Sequence, residues 1–106
     1  MEKNDNNDVI NSETIVDETI MELCQLIMHS QDEKLVFDFF SCLFTKPELK
    51  DIANRWLLVK EIEKGTTQRE IAKKFGMSLC KITRGSKELS KPDSAFRKML
   101  DMNKNL

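Results

Sequence analysis

Residues 35–44, LVFDFFSCLF, constrain the fold of this 106-residue chain more than any other stretch, because eight of the ten are apolar. Their setting predicts a helix from about Asp32 to Leu43. A helix that is apolar nearly all round has to be buried nearly all round. A lone chain of this length buries a modest core and has few places to hide such a helix. The segment therefore predicts a homodimer, with helices exchanged between subunits as one way of covering it. A central helix wrapped by its own chain is the other.

The remaining periodicity is also helical. The polar, acidic residues 1–11 read as a disordered arm, and 12–106 as a single all-α domain. Ile15, Ile20, Leu23, Leu26 and Ile27 mark a first helix from about Thr14, with Asp17 and Glu18 placed in its first turn. A third helix opens at Thr45-Lys46-Pro47-Glu48, where Thr45 and Glu48 have capping-box spacing. Proline is tolerated there because the first turn leaves its N–H unpaired anyway. Ile52, Trp56, Val59 and Ile62 give that helix an apolar face, and Lys64-Gly65 ends it. Trp56, followed by three more apolar residues, reads as core, with a place in a pocket wall as the alternative. A last helix follows Pro92, over 93–103. Residues 12–64 form the expected dimerisation core and 67–90 a separate motif.

Composition excludes several classes. No run of about 18 apolar residues occurs, so nothing is expected to span a membrane, and the N-terminus lacks a signal-peptide pattern. A cytoplasmic protein is expected. Cys24, Cys42 and Cys80 are widely spaced with no CxxC pair and read as reduced thiols, with no metal site. The only histidine, His29, has no acid, thiol or ligand partner at useful spacing, so no catalytic residue is assigned. Charge is unevenly placed. Residues 1–59 hold 5 Lys/Arg against 12 Asp/Glu, and residues 60–100 hold 11 against 5. A basic second half suits a polyanionic partner. A solvated helical surface, or a helical interaction module that meets an acidic protein, accounts for the same charge.

Residues 67–90 make the first of these specific. Thr67 and Glu70 form a second capping box for a helix over Gln68 to Phe75. Gly76 supplies the turn, and Ser78 caps a helix over about Leu79 to Leu89. Ile71, Phe75, Met77 and Ile82 have the spacing to pack one helix across the other, with small Ala72 at the crossing. The pattern is that of a helix-turn-helix, an ordinary αα-hairpin being the alternative. In a helix-turn-helix the second helix enters the major groove of duplex DNA. Ser78, Leu79, Cys80, Lys81, Thr83 and Arg84 are then the reading residues. Lys81 is suited to guanine O6 or N7, and Leu79 or Cys80 to a thymine methyl. Gln68 and Arg69 would meet phosphate or a base at the groove edge. Gly85 stands where such motifs usually carry an inward apolar residue. A glycine there leaves space or admits a close approach to the backbone. Its neighbour Arg84 offers a planar cation that stacks on aromatic rings or clamps carboxylates. An aromatic amino acid fits both properties.

Ile82-Thr83-Arg84-Gly85-Ser86, with Gln68-Arg69-Glu70 and Arg55 ahead of it, resembles the tryptophan repressor family, over about residues 35–100. The resemblance implies an all-α, six-helix intertwined homodimer that represses tryptophan biosynthesis and related operons on a palindromic operator. It implies L-tryptophan as corepressor, with no other cofactor, and an indole ring held between Arg55 and Arg84 with Gly85 against the ligand. It implies further that Thr45 and the backbones of Cys42 and Phe44 complete the pocket from the partner subunit. Thr45 as a plain helix cap fits equally well. Glu88 replaces a small serine that in the family lies near the ligand's amino group. A carboxylate there pairs with an ammonium, or fills and repels part of the pocket. The loop before Gln68 is one residue short, and Ala72, Cys80 and Lys81 depart from the usual DNA-contacting set, implying a different operator. A ligand-independent DNA-binding regulator on the same fold is the alternative.

Overall fold

The structure, a computed structural model, describes residues 12–106; the expected polar arm, 1–11, lies outside the described residues. Regular structure among them is six α-helices, with no strand: α1 Glu13–Ser30, α2 Glu33–Leu43, α3 Lys46–Lys64, α4 Gln68–Phe75, α5 Leu79–Ser90 and α6 Ala95–Asn103. The chain divides into two compact units, Met1–Leu43 and Phe44–Leu106.

In the first unit α1 and α2 pair as a helical hairpin. Helix α1 starts earlier than expected because Ser12 caps it, its hydroxyl accepting the Ile15 N–H at 3.4 Å. Glu13 therefore occupies the first turn, and Asp17 and Glu18 lie beyond it. The Asp32 carboxylate accepts the Leu35 N–H at 3.1 Å and starts α2 in the same way. None of the α2 residues is buried; Phe37 keeps 70% and Leu35 55% of their surface. The apolar helix is therefore not wrapped by its own hairpin. A cavity of about 380 Å³ in this unit is lined by Leu26, Ile27, Leu35, Val36 and Phe39, with His29 and Ser30. The His29 Nδ1 lies 3.0 Å from the Gln25 carbonyl oxygen of its own helix.

The second unit has two apolar clusters. Leu58, Ile71 and Ile82 are buried together, with Ala72, Phe75 and Met77 packed on them; these residues bind α3, α4 and α5 to one another. Val59, Leu89 and Leu100 form the second, with Trp56 and Phe96, and bind α6 to α3 and α5. Trp56 is half-buried and packs against this second cluster, and it does not line the cavity that α3, α5 and α6 enclose. Both capping boxes form: Thr45 with Glu48 on α3, and Thr67 with Glu70 on α4. Gly76 ends α4 in the left-handed region, φ 61° and ψ 33°, which reverses the chain within three residues before Ser78 caps α5. The last helix begins at Ala95, two residues later than expected. Ser94, itself buried, accepts the Arg97 N–H at 3.1 Å, and Pro92 and Asp93 form the turn before it.

Two carboxylates on α3 set the positions of its neighbours. Glu61 is buried, its side chain 8% exposed, and accepts from Lys64 at 3.1 Å, Thr66 at 3.0 Å and Lys74 of α4 at 3.5 Å. The hydrogen bonds from Lys64 and Thr66 hold its carboxyl below the usual carboxylate range. Glu63 accepts from Arg97 at 2.7 Å and Lys104 at 3.3 Å, which ties α6 to α3.

Candidate functional site

Helices α3, α5 and α6 enclose a cavity of about 280 Å³. Its apolar wall is Leu58 and Val59 of α3 with Phe96 of α6, and its charged wall is Arg55 of α3 with Lys81, Arg84 and Glu88 of α5. Gly85 also lines it. The local reason for this glycine is close packing. A Cβ at position 85 would lie 2.8 Å from Leu58 Cδ2 and 3.4 Å from Leu58 Cγ. The missing side chain lets α5 sit against α3, which brings Arg55 and Arg84 to one cavity.

The ion pairs around the cavity are specific. Arg55 Nη2 lies 3.2 Å from Asp51 Oδ2, one turn back on α3. Lys81 Nζ lies 3.4 Å from the other oxygen of the same carboxylate. Glu88 Oε2 lies 2.6 Å from Lys91 Nζ. Arg84 has no ion-pair partner among the described residues. An apolar wall, planar cations and one carboxylate suit a small flat molecule that carries both a carboxylate and an ammonium group.

The expected DNA-reading residues divide between two faces. Leu79, Cys80, Thr83 and Arg84 line a broad groove on the outer face of α5, together with Lys87, Glu88 and Lys91. Lys81 is not among that groove's lining residues and turns toward α3 and Asp51 instead. The Ser78 hydroxyl accepts the Lys81 N–H at 3.3 Å as the α5 cap. Gln68 and Arg69 are exposed in the first turn of α4. Lys74 is drawn back to Glu61 and over the Phe75 ring, 5.5 Å from its centre.

Of the expected ligand residues, Arg55, Arg84, Gly85 and Glu88 meet in one cavity. Thr45 and Phe44 do not line it, and Cys42 belongs to the other unit. Thr45 caps α3: its oxygen accepts the Glu48 N–H at 3.3 Å and its hydroxyl lies 3.0 Å from Glu48 Oε1. Cys24, Cys42 and Cys80 are exposed free thiols. Sequence reasoning missed Leu58, Val59 and Phe96 as cavity walls. It also missed Asp51, although the acid-before-base spacing of Asp51 and Arg55 is a helical ion-pair signal.

Comparison with known proteins agrees with the all-α fold and gives the family. The family model described as Trp repressor protein matches residues 18–104. A Trp operon repressor homolog of Chlamydia trachomatis serovar L2 is 42% identical over 71 residues, covering 66% of this chain and 76% of that protein. A Trp operon repressor homolog of Chlamydia caviae is 39% identical over 81 residues, covering 76% of this chain and 77% of the relative. The crystal structure of a TrpR like protein from Eubacterium eligens superposes with a TM-score of 0.71 over 94% of this chain and 98% of that one; at 22% identity this likeness is one of fold. With most of its described helices inside the matched region, the chain belongs to the Trp repressor family.

Proposed function

We propose that this protein is a transcriptional repressor that binds a palindromic DNA operator as an intertwined homodimer and takes L-tryptophan as corepressor. Its targets are genes of tryptophan biosynthesis or transport, and it acts in the cytoplasm. The observation that carries this reading is that Arg55 and Arg84, from different helices, line one cavity with Gly85, while the helix that bears Arg84 opens with the exposed Leu79 and Cys80. A ring held between the two guanidinium groups ties α5 to α3. A ligand that binds this arrangement more tightly than others shifts the protein toward it. Glu88 is the acceptor for the ligand's ammonium group. A second copy of the chain supplies Thr45 and the backbones of Cys42 and Phe44, and covers the apolar surface of α2. Gln68 and Arg69 meet phosphate or a base at the groove edge; Ser78, Leu79, Cys80, Thr83 and Arg84 form the reading face, which Lys81 joins once it leaves Asp51. Helix-turn-helix dimers, the Trp repressor among them, read half-sites about 34 Å apart.

Calorimetric titration of L-tryptophan into the protein, with L-phenylalanine and indole propionate as controls, tests the ligand. One L-tryptophan bound per chain, lost in Arg84→Ala, is expected. A ligand-independent DNA-binding regulator is the second reading, favoured by the 2.6 Å pair of Glu88 with Lys91 beside the cavity. Absence of binding heat at several temperatures, with duplex binding intact, would establish it instead.

A further inference from the structure

We propose that Asp51 is a positioning residue that withholds Lys81 from DNA and ties it to the wall of the ligand cavity. The inference rests on the reading of α5 as the DNA-reading helix. Asp51 Oδ1 lies 3.4 Å from Lys81 Nζ, and Asp51 Oδ2 lies 3.2 Å from Arg55 Nη2. One carboxylate thus holds a cation of the reading helix with one oxygen and a cation of the cavity wall with the other.

Two observations and one physical argument support a regulating role over a decorative surface pair. The Lys81 contact joins residues 30 apart in sequence and on different helices. Lys81 lines the Arg55–Arg84 cavity and not the outer groove of α5, whereas Leu79, Cys80 and Thr83 line only the groove and Arg84 lines both. A lysine engaged by a carboxylate also offers less charge to a phosphate or a guanine edge, because Asp51 occupies the place such an anion would take. DNA has to displace Asp51 before it gains Lys81. Any ligand that draws Arg55 away changes how that carboxylate is shared.

The two side chains keep 55% and 44% of their surface, so the pair is a weak one. Its release is worth about two- to fivefold in affinity, the range of an exposed ion pair. The test uses a duplex enriched from a random-sequence pool by the full-length wild-type protein. Its affinity is measured by fluorescence anisotropy at one salt concentration for wild type, Asp51→Asn, Lys81→Gln and the double variant. Asp51→Asn is expected to tighten binding about two- to fivefold. The gain is expected to disappear in the Lys81→Gln background and to be absent from Asp51→Glu, which keeps the charge. An equal gain in the Lys81→Gln background would show a general effect of one lost negative charge and overturn the proposal. Unchanged or weaker binding by Asp51→Asn overturns it too. A wild-type protein that enriches no duplex overturns the DNA-binding reading itself, and this proposal with it.

Discussion

Gly85 shows how one absent side chain serves packing and site together. Alanine there would gain about 1 kcal/mol of helix propensity. It would also place a Cβ 2.8 Å from a methyl of Leu58, a buried residue that has to shift to make room. Overpacking of this kind costs about 1–3 kcal/mol, so the packing term wins. Gly85→Ala is expected to lower stability by about 1 kcal/mol in urea unfolding, and Leu58→Val to recover part of that loss, since it withdraws the opposing methyl. Glu88 carries a second prediction at this scale. If it accepts the ligand's ammonium group, Glu88→Ser reduces the preference for L-tryptophan over indole propionate by about tenfold, the low end for a charge-assisted bond. Calorimetric competition between the two ligands measures it, and an unchanged preference would remove Glu88 from the pocket.

Each helix of the second unit is started by a side-chain cap and held to α3 by packing or charge. The caps are local and additive. Thr67→Ala is expected to cost about 1 kcal/mol and to speed amide exchange in α4 more than in α6. The Glu63 junction is different in kind, because it holds α6 to α3 and depends on pH. Its hydrogen bonds from Arg97 first and Lys104 second lower its pKa from 4.5 to about 2. A carboxyl depressed on folding stabilises the native state above its unfolded value and loses that contribution on acidification. The Glu63 contribution is therefore complete above about pH 4.5 and fades as pH falls toward about 2. Unfolding of wild type and Glu63→Gln between pH 7 and pH 2.5 is expected to show a stability gap that narrows through this window. A gap independent of pH would assign the junction to packing alone.

At the scale of the molecule, the exposed apolar surface of α2 is the main feature. Phe37 is 70% exposed, yet such a face is costly to leave in water. In the proposed dimer the two-fold axis buries Phe37 twice, at about 1.5–3 kcal/mol for each ring. Phe37→Asp is expected to turn a dimer into a monomer in sedimentation equilibrium at micromolar concentration. A wild-type protein that is already monomeric there would refute the helix-exchange reading of residues 35–44. The sequence by itself determined the six helices and most of their ends. Capping boxes at Thr45 and Thr67 and the glycines at 65 and 76 act through hydrogen bonds and dihedral preferences within a few residues, so a local reading finds them. It also showed the inward set of Ile71, Phe75, Met77 and Ile82, because apolar residues at these spacings on either side of the Gly76 turn pack one short helix across the other. Arg55 and Arg84 were paired by resemblance, since no periodicity links residues 29 apart. Tertiary structure alone decided that Gly85 is needed first for Leu58, that Lys81 leaves the outer face for Asp51, and that Leu58, Val59 and Phe96 wall the cavity. These contacts join α3, α5 and α6 at separations where only the packing of one helix on another sets which side chains meet.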